Sequence, residues 1–148
     1  AVAALVPAAL KKQQDIQVDL PEENLWIHGD PTLLGEMISN IVDNAIRYTP
    51  IAGHITIQLQ HQQQIAQITI SDTGIGLPEA DLERVFERFY RSAHTPAEGS
   101  GLGLAIAHDI AVLHHGSIRL TNRSESGLQA TILLPLKHGL SPNSDKLT

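Results

Sequence analysis

Asn40, Asn44 and Arg47 follow one another at helical spacing in the stretch SNIVDNAIRYTP, residues 39–50. Asparagine is a poor helix former, because its side chain competes for nearby backbone groups. Two on one face therefore need a reason. On a wheel of about 100° per residue with Glu36 at zero, Asn40, Asn44, Arg47 and Asp43 fall at roughly 40°, 80°, 20° and −20°. Leu34, Met37, Ile38, Ile41, Val42, Ala45 and Ile46 fill the arc from about 100° to 280°. The plain reading of the polar stripe is a solvated outer face. Exposed faces, however, favour Lys, Glu and Gln over repeated Asn. Two neutral amide oxygens beside a carboxylate and a guanidinium suit a hydrated Mg2+ and a phosphate.

Two further stretches carry possible chemistry. In ISDTGIGLP, residues 70–78, Asp72 directly follows an alternating apolar run. Gly74 and Gly76 then let the backbone turn and let a planar ring come close. A carboxylate there can accept from an exocyclic amine such as that of adenine, although an ordinary Asp-x-Gly turn has the same residues. In EGSGLGLAI, residues 98–106, Gly99, Gly101 and Gly103 lead into an apolar run. Backbone N–H groups at such a helix start bind phosphate, and a simple flexible hinge is the alternative. The stretch is no P-loop, since Gly-Lys-Ser/Thr is absent, and no dinucleotide fingerprint, since no βαβ unit surrounds it.

The elements that must position these residues can be read in order. Residues 2–12 are expected to be helical, with Pro7 starting or breaking the run. Residues 15–20, DIQVDL, alternate like a half-buried strand. Residues 21–30 form a turn, with a short edge strand expected around Trp26. Asp30-Pro31 is an N-cap acceptor followed by Pro at the first helical position, and the helix runs to Tyr48 before Thr49-Pro50 stops it. HITIQLQ (54–60) and IAQITIS (65–71) alternate with period two and are joined by polar HQQQ as a hairpin. PEADLERVFERFYR (78–91) reads as a short helix, SAHTPAEGSG as a loop, and GLGLAIAHDIAVLHHG (101–116) as a helix closed by Gly116 at C′. SIRLTN and LQATILLPL are the last two strands, joined by RSESG. The predicted fold class is α+β: a two-layer sandwich, with a mixed, mostly antiparallel sheet of about five strands and about three helices on one face. Residues 1–14 read as the end of a linker, 15–137 as the domain, and 138–148 as a disordered tail.

Composition narrows the function. A net charge of −6 gives no basic footprint and argues against nucleic acid. With no cysteine there is no disulfide, thiol catalysis or thiolate metal site. No apolar run approaches the roughly 20 residues of a membrane span. At 3% aromatic residues, the core must rest on Ile, Leu, Val and Ala, and Phe86 and Phe89 are expected to pack into it, with packing against partner helices as the alternative.

The motifs resemble, in order, those of one family. NIVDNAIRYTP resembles its N box, DTGIGLP its first glycine box, VFERFYR its F box and GSGLGLAI its second glycine box; SGLQATILLPL resembles its closing strand. The family is the catalytic ATP-binding domain (HATPase_c) of bacterial sensor histidine kinases, within the gyrase, chaperone, kinase and mismatch-repair superfamily that shares the Bergerat, or GHKL, fold. The resemblance covers about residues 15–136 and implies ATP and Mg2+ as ligands. Asn40 would bind Mg2+, and Asn44 would contact the nucleotide and its phosphates. Arg47 stands where the family often has Lys and would meet a phosphate. Tyr48 would flank the adenine, Asp72 would take its amine, and Gly74 and Gly76 would shape that end of the pocket. Arg88 and Arg91 lie where the family uses basic side chains near the phosphates. Gly99, Ser100, Gly101, Leu102 and Gly103 would hinge a lid over about residues 91–100. Glu36 sits four residues before Asn40, the spacing at which hydrolysing relatives carry a water-activating Glu; in the kinases it either assists transfer or is structural. The implied catalytic set is Glu36, Asn40, Arg88 and Arg91.

In this family the phosphorylated histidine lies on a helical hairpin ahead of the ATP domain, and none of the eight histidines here sits in such a motif. The chain is therefore expected to be an excised catalytic domain that binds Mg-ATP and cannot phosphorylate itself. The implied partners are the upstream dimerisation and phosphoacceptor hairpin, a response regulator, and a second copy in the parent homodimer. The implied location is the cytoplasmic side of a bacterial inner-membrane sensor. A GHKL-type ATPase clamp, a serine-kinase anti-sigma factor and a non-catalytic interaction module remain as alternatives. His114-His115 reads as a partner for the helix C-terminal dipole.

Overall fold

Asp30 and Pro31 set the start of the longest helix. In a computed structural model, which describes residues 13–88 and 102–137, α1 spans Pro31–Tyr48. The Asp30 carboxylate accepts from the N–H groups of Thr32 and Leu33 at 2.9 and 3.2 Å, satisfying two donors that no helix bond can reach. The apolar arc of α1 is buried through Met37, Ile41, Val42, Ala45 and Ile46. Residues 1–12, Phe89, Arg91, Gly99, Ser100, Gly101 and the tail from 138 lie outside the described residues, and so do the readings made for them.

The alternating runs become strands: β1 (Asp15–Asp19), β2 (His54–Gln62), β3 (Ile65–Asp72), β4 (Ser117–Asn122) and β5 (Leu128–Pro135). They form one sheet in the order β1-β2-β3-β5-β4, with β1 parallel to β2 and every other pair antiparallel. Register puts Ile57 opposite Ile70, Ile70 opposite Ala130 and Ala130 opposite Leu120. That apolar row faces α1 and α2 (Gly103–Leu113), and all its members are buried. The alternate positions, Gln58, Thr69 and Thr131, form the polar face of the same strands. The mixed five-stranded sheet with helices on one side is the expected architecture.

Four details differ from the expectations. Around Trp26 there is no strand: a single bond, Lys137 N–H to the Trp26 carbonyl at 2.7 Å, does not make a ladder. The strands β2 and β3 extend to Gln62 and from Ile65, leaving Gln63-Gln64 as the turn, with Gln63 in the left-handed region. Residues 78–88 hold two one-turn 3-10 helices, Glu79–Asp81 and Arg84–Phe86, rather than one helix. Neither has a side-chain cap to offset the cost of helix nucleation. Val85 is buried, and Phe86 packs on the core with its ring 5.3 Å from that of His108.

The fourth concerns the end of α2. His115, at φ 63°, is the left-handed C′ residue, and Gly116 follows it. His115 N–H donates to the Val112 carbonyl and Gly116 N–H to that of Ala111, the paired bonds of a Schellman end. Glycine is required at 116 for space: a Cβ there would lie 2.1 Å from the Leu133 carbonyl oxygen. His114 is buried and does not act as a charged dipole partner. Its Nδ1–H donates to the Ile110 carbonyl at 2.8 Å and its Nε2 accepts from Asp30 N–H at 3.1 Å, a pattern only the neutral ring can make. The ring thus ties the end of α2 to the start of α1.

The two residues separate conformation from packing. His115→Gly is expected to raise stability by about 1 kcal/mol, by relieving a left-handed side-chain position. Gly116→Ala is expected to lower it by about 1–3 kcal/mol through overpacking. Denaturant melts of both variants beside the parent check this.

Candidate functional site

Asp72 ends β3 on the helix side of the sheet and is 3% exposed. Its Oδ1 accepts from Gly74 N–H at 2.9 Å and from Leu128 N–H at 3.1 Å. Oδ2 takes no hydrogen bond from the described residues. Burial pushes the carboxyl up from its ordinary value, while the Gly74 and Leu128 N–H groups and the Arg123 guanidinium pull the other way.

Asn44 of α1 and Asp72 line one small pocket, walled by Ile41, Ala45, Ile70, Leu104, Leu128 and Ala130. The pocket is closed down to about 10 Å³, room for a single water. Its lining of one carboxylate and one amide among aliphatic side chains is the kind that recognises an amine-bearing heterocycle once the site opens. Asn40, one turn earlier, stands beside the start of α2: a Cβ on Gly103 would lie 3.9 Å from the Asn40 Cγ. Leu102 holds the position before that helix and accepts from Ile106 N–H at 2.9 Å. The Tyr48 carbonyl touches Gly74 so closely that a Cβ there would come to 2.3 Å. Gly76 has φ 72°, and a Cβ would meet the Asn122 Oδ1 at 2.6 Å. The structure therefore brings Asn40, Asn44, Tyr48, Asp72, Gly74, Leu102 and Gly103 into one region.

The charged residues are arranged more loosely. Glu36 is exposed, one turn ahead of Asn40. Arg47 makes an ion pair with Asp43 at 3.1 Å on the exposed face. Arg88 pairs with Asp109 at 3.0 Å. Asp109 is six residues beyond Gly103, about 9 Å along the helix, so this pair does not join the Asn40–Gly103 end of α2. Among the described residues, no group of three His, Cys, Asp or Glu side chains could hold a metal. The oxygen donors on the polar stripe of α1 are the amides of Asn40 and Asn44 and the carboxylates of Asp43 and Glu36. Such hard donors fit Mg2+, which takes few protein ligands and keeps waters or phosphate oxygens.

The supports of Asp72 come from a turn that reads in sequence as a plain hairpin connection. Asn122 accepts from Leu77 N–H at 2.9 Å and donates to the Leu77 carbonyl at 2.6 Å. Arg123 donates to the Asp72 carbonyl at 2.8 Å, and Ser126 Oγ donates to that of Gly74 at 2.9 Å. Gly127, at φ 98°, lies against Asp72, where a Cβ would be 2.0 Å from the carbonyl oxygen. Only the polar, Gly-ended composition of 122–127 hinted at a turn; nothing local marks its partners some 50 residues away.

The comparisons with known proteins agree with this geometry. Residues 29–138 match the family described as histidine kinase-, DNA gyrase B- and HSP90-like ATPase. The chain is 36% identical to the sensor histidine kinase WalK of Bacillus subtilis over 135 residues, covering 86% of this chain and 22% of that protein. It is 40% identical to the sensor protein kinase PmrB of Pseudomonas aeruginosa over 124 residues, covering 82% of this chain and 26% of that one. It thus spans about a quarter of the length of these relatives. Among solved structures, the mycobacterial sensor histidine kinase MprB superposes with a TM-score of 0.82 at 29% identity, covering 92% of this chain and 93% of that one. The catalytic domain of the histidine kinase ThkA gives 0.80 at 28%, covering 90% and 86%.

The raised Asp72 carboxyl has a signed consequence. Its folded value lies above the unfolded 3.8, so the native state holds the proton more tightly. Its contribution is most favourable below the unfolded value and is lost as pH rises through the folded one. Asp72→Asn keeps an oxygen for Gly74 and Leu128 and removes the buried charge. The variant is expected to melt at or above the parent's temperature at pH 7, without the parent's loss of stability above pH 3.8 from this group. Thermal melts of the ligand-free chains across about pH 3.5–7 check it.

Proposed function

Because this chain belongs to the histidine kinase-, DNA gyrase B- and HSP90-like ATPase family, as a catalytic domain of the sensor-histidine-kinase kind, we propose that its Asp72–Asn44 pocket holds the adenine of a Mg2+-bound ATP. The γ-phosphoryl group of that ATP then goes to a histidine on a separate phosphoacceptor domain. The observation that carries this reading is the convergence of Asn44 and Asp72 on one apolar slot, with Asn40 and Gly103 side by side at its edge.

Each residue has a role in that reading. The Asp72 Oδ2 accepts from the adenine amine while Oδ1 stays fixed by backbone donors. Gly74 and Gly76 keep the Asp72 turn free of side chains, and Tyr48 flanks the ring. Asn44 contacts the nucleotide, and Asn40 holds the Mg2+. The ion neutralises charge on the phosphates, which is most of what phosphoryl transfer asks of a protein. Arg47, Arg88 and Arg91 supply further positive charge, Arg47 and Arg88 by leaving their surface partners Asp43 and Asp109. Such exposed pairs cost little to break. Gly99, Ser100, Gly101, Leu102 and Gly103 form the hinge at which backbone N–H groups meet phosphate. In the transfer a histidine nitrogen bonds to phosphorus, the bond to the bridging oxygen breaks, and ADP leaves. In this reading Glu36, exposed one turn ahead of Asn40, hydrogen-bonds the acceptor or takes its proton.

The parent protein passes the phosphoryl group on to an aspartate of a response regulator and works as a homodimer, with this domain on the cytoplasmic side of the inner membrane. No helix among the described residues is long and apolar enough to cross a membrane.

Calorimetric titration with a non-hydrolysable ATP analogue tests the reading. The chain should bind in a Mg2+-dependent way. Asn40→Ala should abolish the Mg2+ dependence. Asp72→Asn should weaken binding about tenfold or more, because its amide would meet the adenine amine donor to donor. With labelled ATP the chain alone should take up no acid-labile, base-stable phosphate. Steady ATP hydrolysis without an acceptor would instead favour the ATPase clamp.

A further inference from the structure

Gln14 stands where the chain enters the described fold, and its side chain is 6% exposed. Its Nε2 donates to the carbonyls of Thr49 at 2.8 Å and Ile46 at 3.1 Å, with the Pro50 carbonyl at 3.4 Å. The Ile46 and Thr49 carbonyls belong to the end of α1, where the helix has no N–H groups left to offer, while that of Pro50 also accepts from Gly53 N–H at 3.1 Å. Thr49 is buried at this corner, 1% exposed, and its Oγ1 donates to the Ala45 carbonyl at 2.7 Å. Gln14 is therefore a C-terminal cap delivered from outside the helix. The next residue begins β1, with Asp15 N–H on the Gly53 carbonyl at 3.0 Å.

The other side of this corner leans on the nucleotide pocket. Gly74 lies directly on the Tyr48 carbonyl, and its N–H holds the Asp72 Oδ1. A Cβ on Gly53 would lie 2.2 Å from the Thr49 Cγ2 and 3.0 Å from the Thr73 Oγ1. Thr73 in turn accepts from His54 N–H at 2.9 Å. Contacts run from Gln14 through Ile46, Tyr48, Thr49 and Gly53 to the turn that fixes Asp72. Densely packed segments transmit displacement rather than absorb it.

We propose that Gln14 is a positioning residue for the nucleotide pocket: its amide holds the α1 corner against the Thr73–Gly74 turn, and a displacement of the chain entering at residue 13 passes to Asp72 and weakens nucleotide binding. The inference rests on the nucleotide reading above. It gives the segment ahead of the domain a direct route to the adenine end of the site.

Three variants of the full 148-residue chain test it: Gln14→Leu, Gln14→Lys and Gln14→Glu. Affinity for non-hydrolysable ATP and inosine triphosphate analogues is measured with Mg2+, at a temperature where every variant is folded. Leucine keeps the volume and removes the donor, taking away the bonds to the Thr49 and Ile46 carbonyls. Its affinity for the ATP analogue should fall about fivefold, the equivalent of one buried hydrogen bond. Lysine restores a donor beside the helix end and should recover affinity to within about twofold of the parent. Glutamate sets a carboxylate against carbonyls and should be weakest. The preference for ATP over its inosine analogue should shrink in the same order. If Gln14→Leu melts lower but binds both nucleotides as the parent does, Gln14 is merely structural and the inference is overturned. Equal weakening of both analogues overturns it too, since the adenine end would not be involved. A parent chain that binds neither nucleotide overturns the reading of the pocket itself.

Discussion

The buried carboxylate of Asp72 is the constraint around which the site is built. A charge at 3% exposure is costly unless hydrogen bonds replace its water. Two backbone N–H groups do so, and they come from different parts of the chain, Gly74 just beyond β3 and Leu128 at the start of β5. Holding both in reach requires the β4–β5 turn to fold back over residues 72–77. Asn122, Arg123 and Ser126 carry out that closure, and Gly127 is there because no side chain fits against the Asp72 carbonyl. One acidic group thus dictates the conformation of two loops. The burial that raises its pKa outweighs those two backbone donors and the Arg123 guanidinium.

α1 answers to two demands at once. One arc fills the core against the sheet and α2, and the other carries the asparagines toward the start of α2. Asparagine weakens the helix locally, and the ends compensate. Asp30 caps the first turn, His114 ties down the Asp30 backbone, and Gln14 caps the last turn. The helix that bears the ligand groups is therefore fixed at both ends by side chains from elsewhere. At the start of α2, Leu102 offers no side-chain cap.

Sequence alone determined much of this protein. Period-two alternation against 3.6-residue alternation separated the strands from α1, and Asp30-Pro31 and Thr49-Pro50 marked its ends. The order of the four boxes gave the family, and with it the expectation that α1, the Asp72 turn and the start of α2 would meet. Those signals are legible because each is local: a cap, a period or a glycine pair depends on a few neighbouring residues.

Tertiary structure decided what depends on distant partners. Gln14 lies among residues that read as linker, yet its amide reaches carbonyls 32 to 36 residues away. His114 looked like a charge for a helix end, yet the Asp30 N–H, 84 residues distant, makes it a neutral acceptor. Residues 78–88 have a helical pattern, but uncapped turns in which Val85 is buried settle as 3-10. Gly116 reads as a helix terminator, while its real constraint is the Leu133 carbonyl of β5. In each case the residue type is visible in the sequence, but its energy is set by a group that only the folded chain brings within reach.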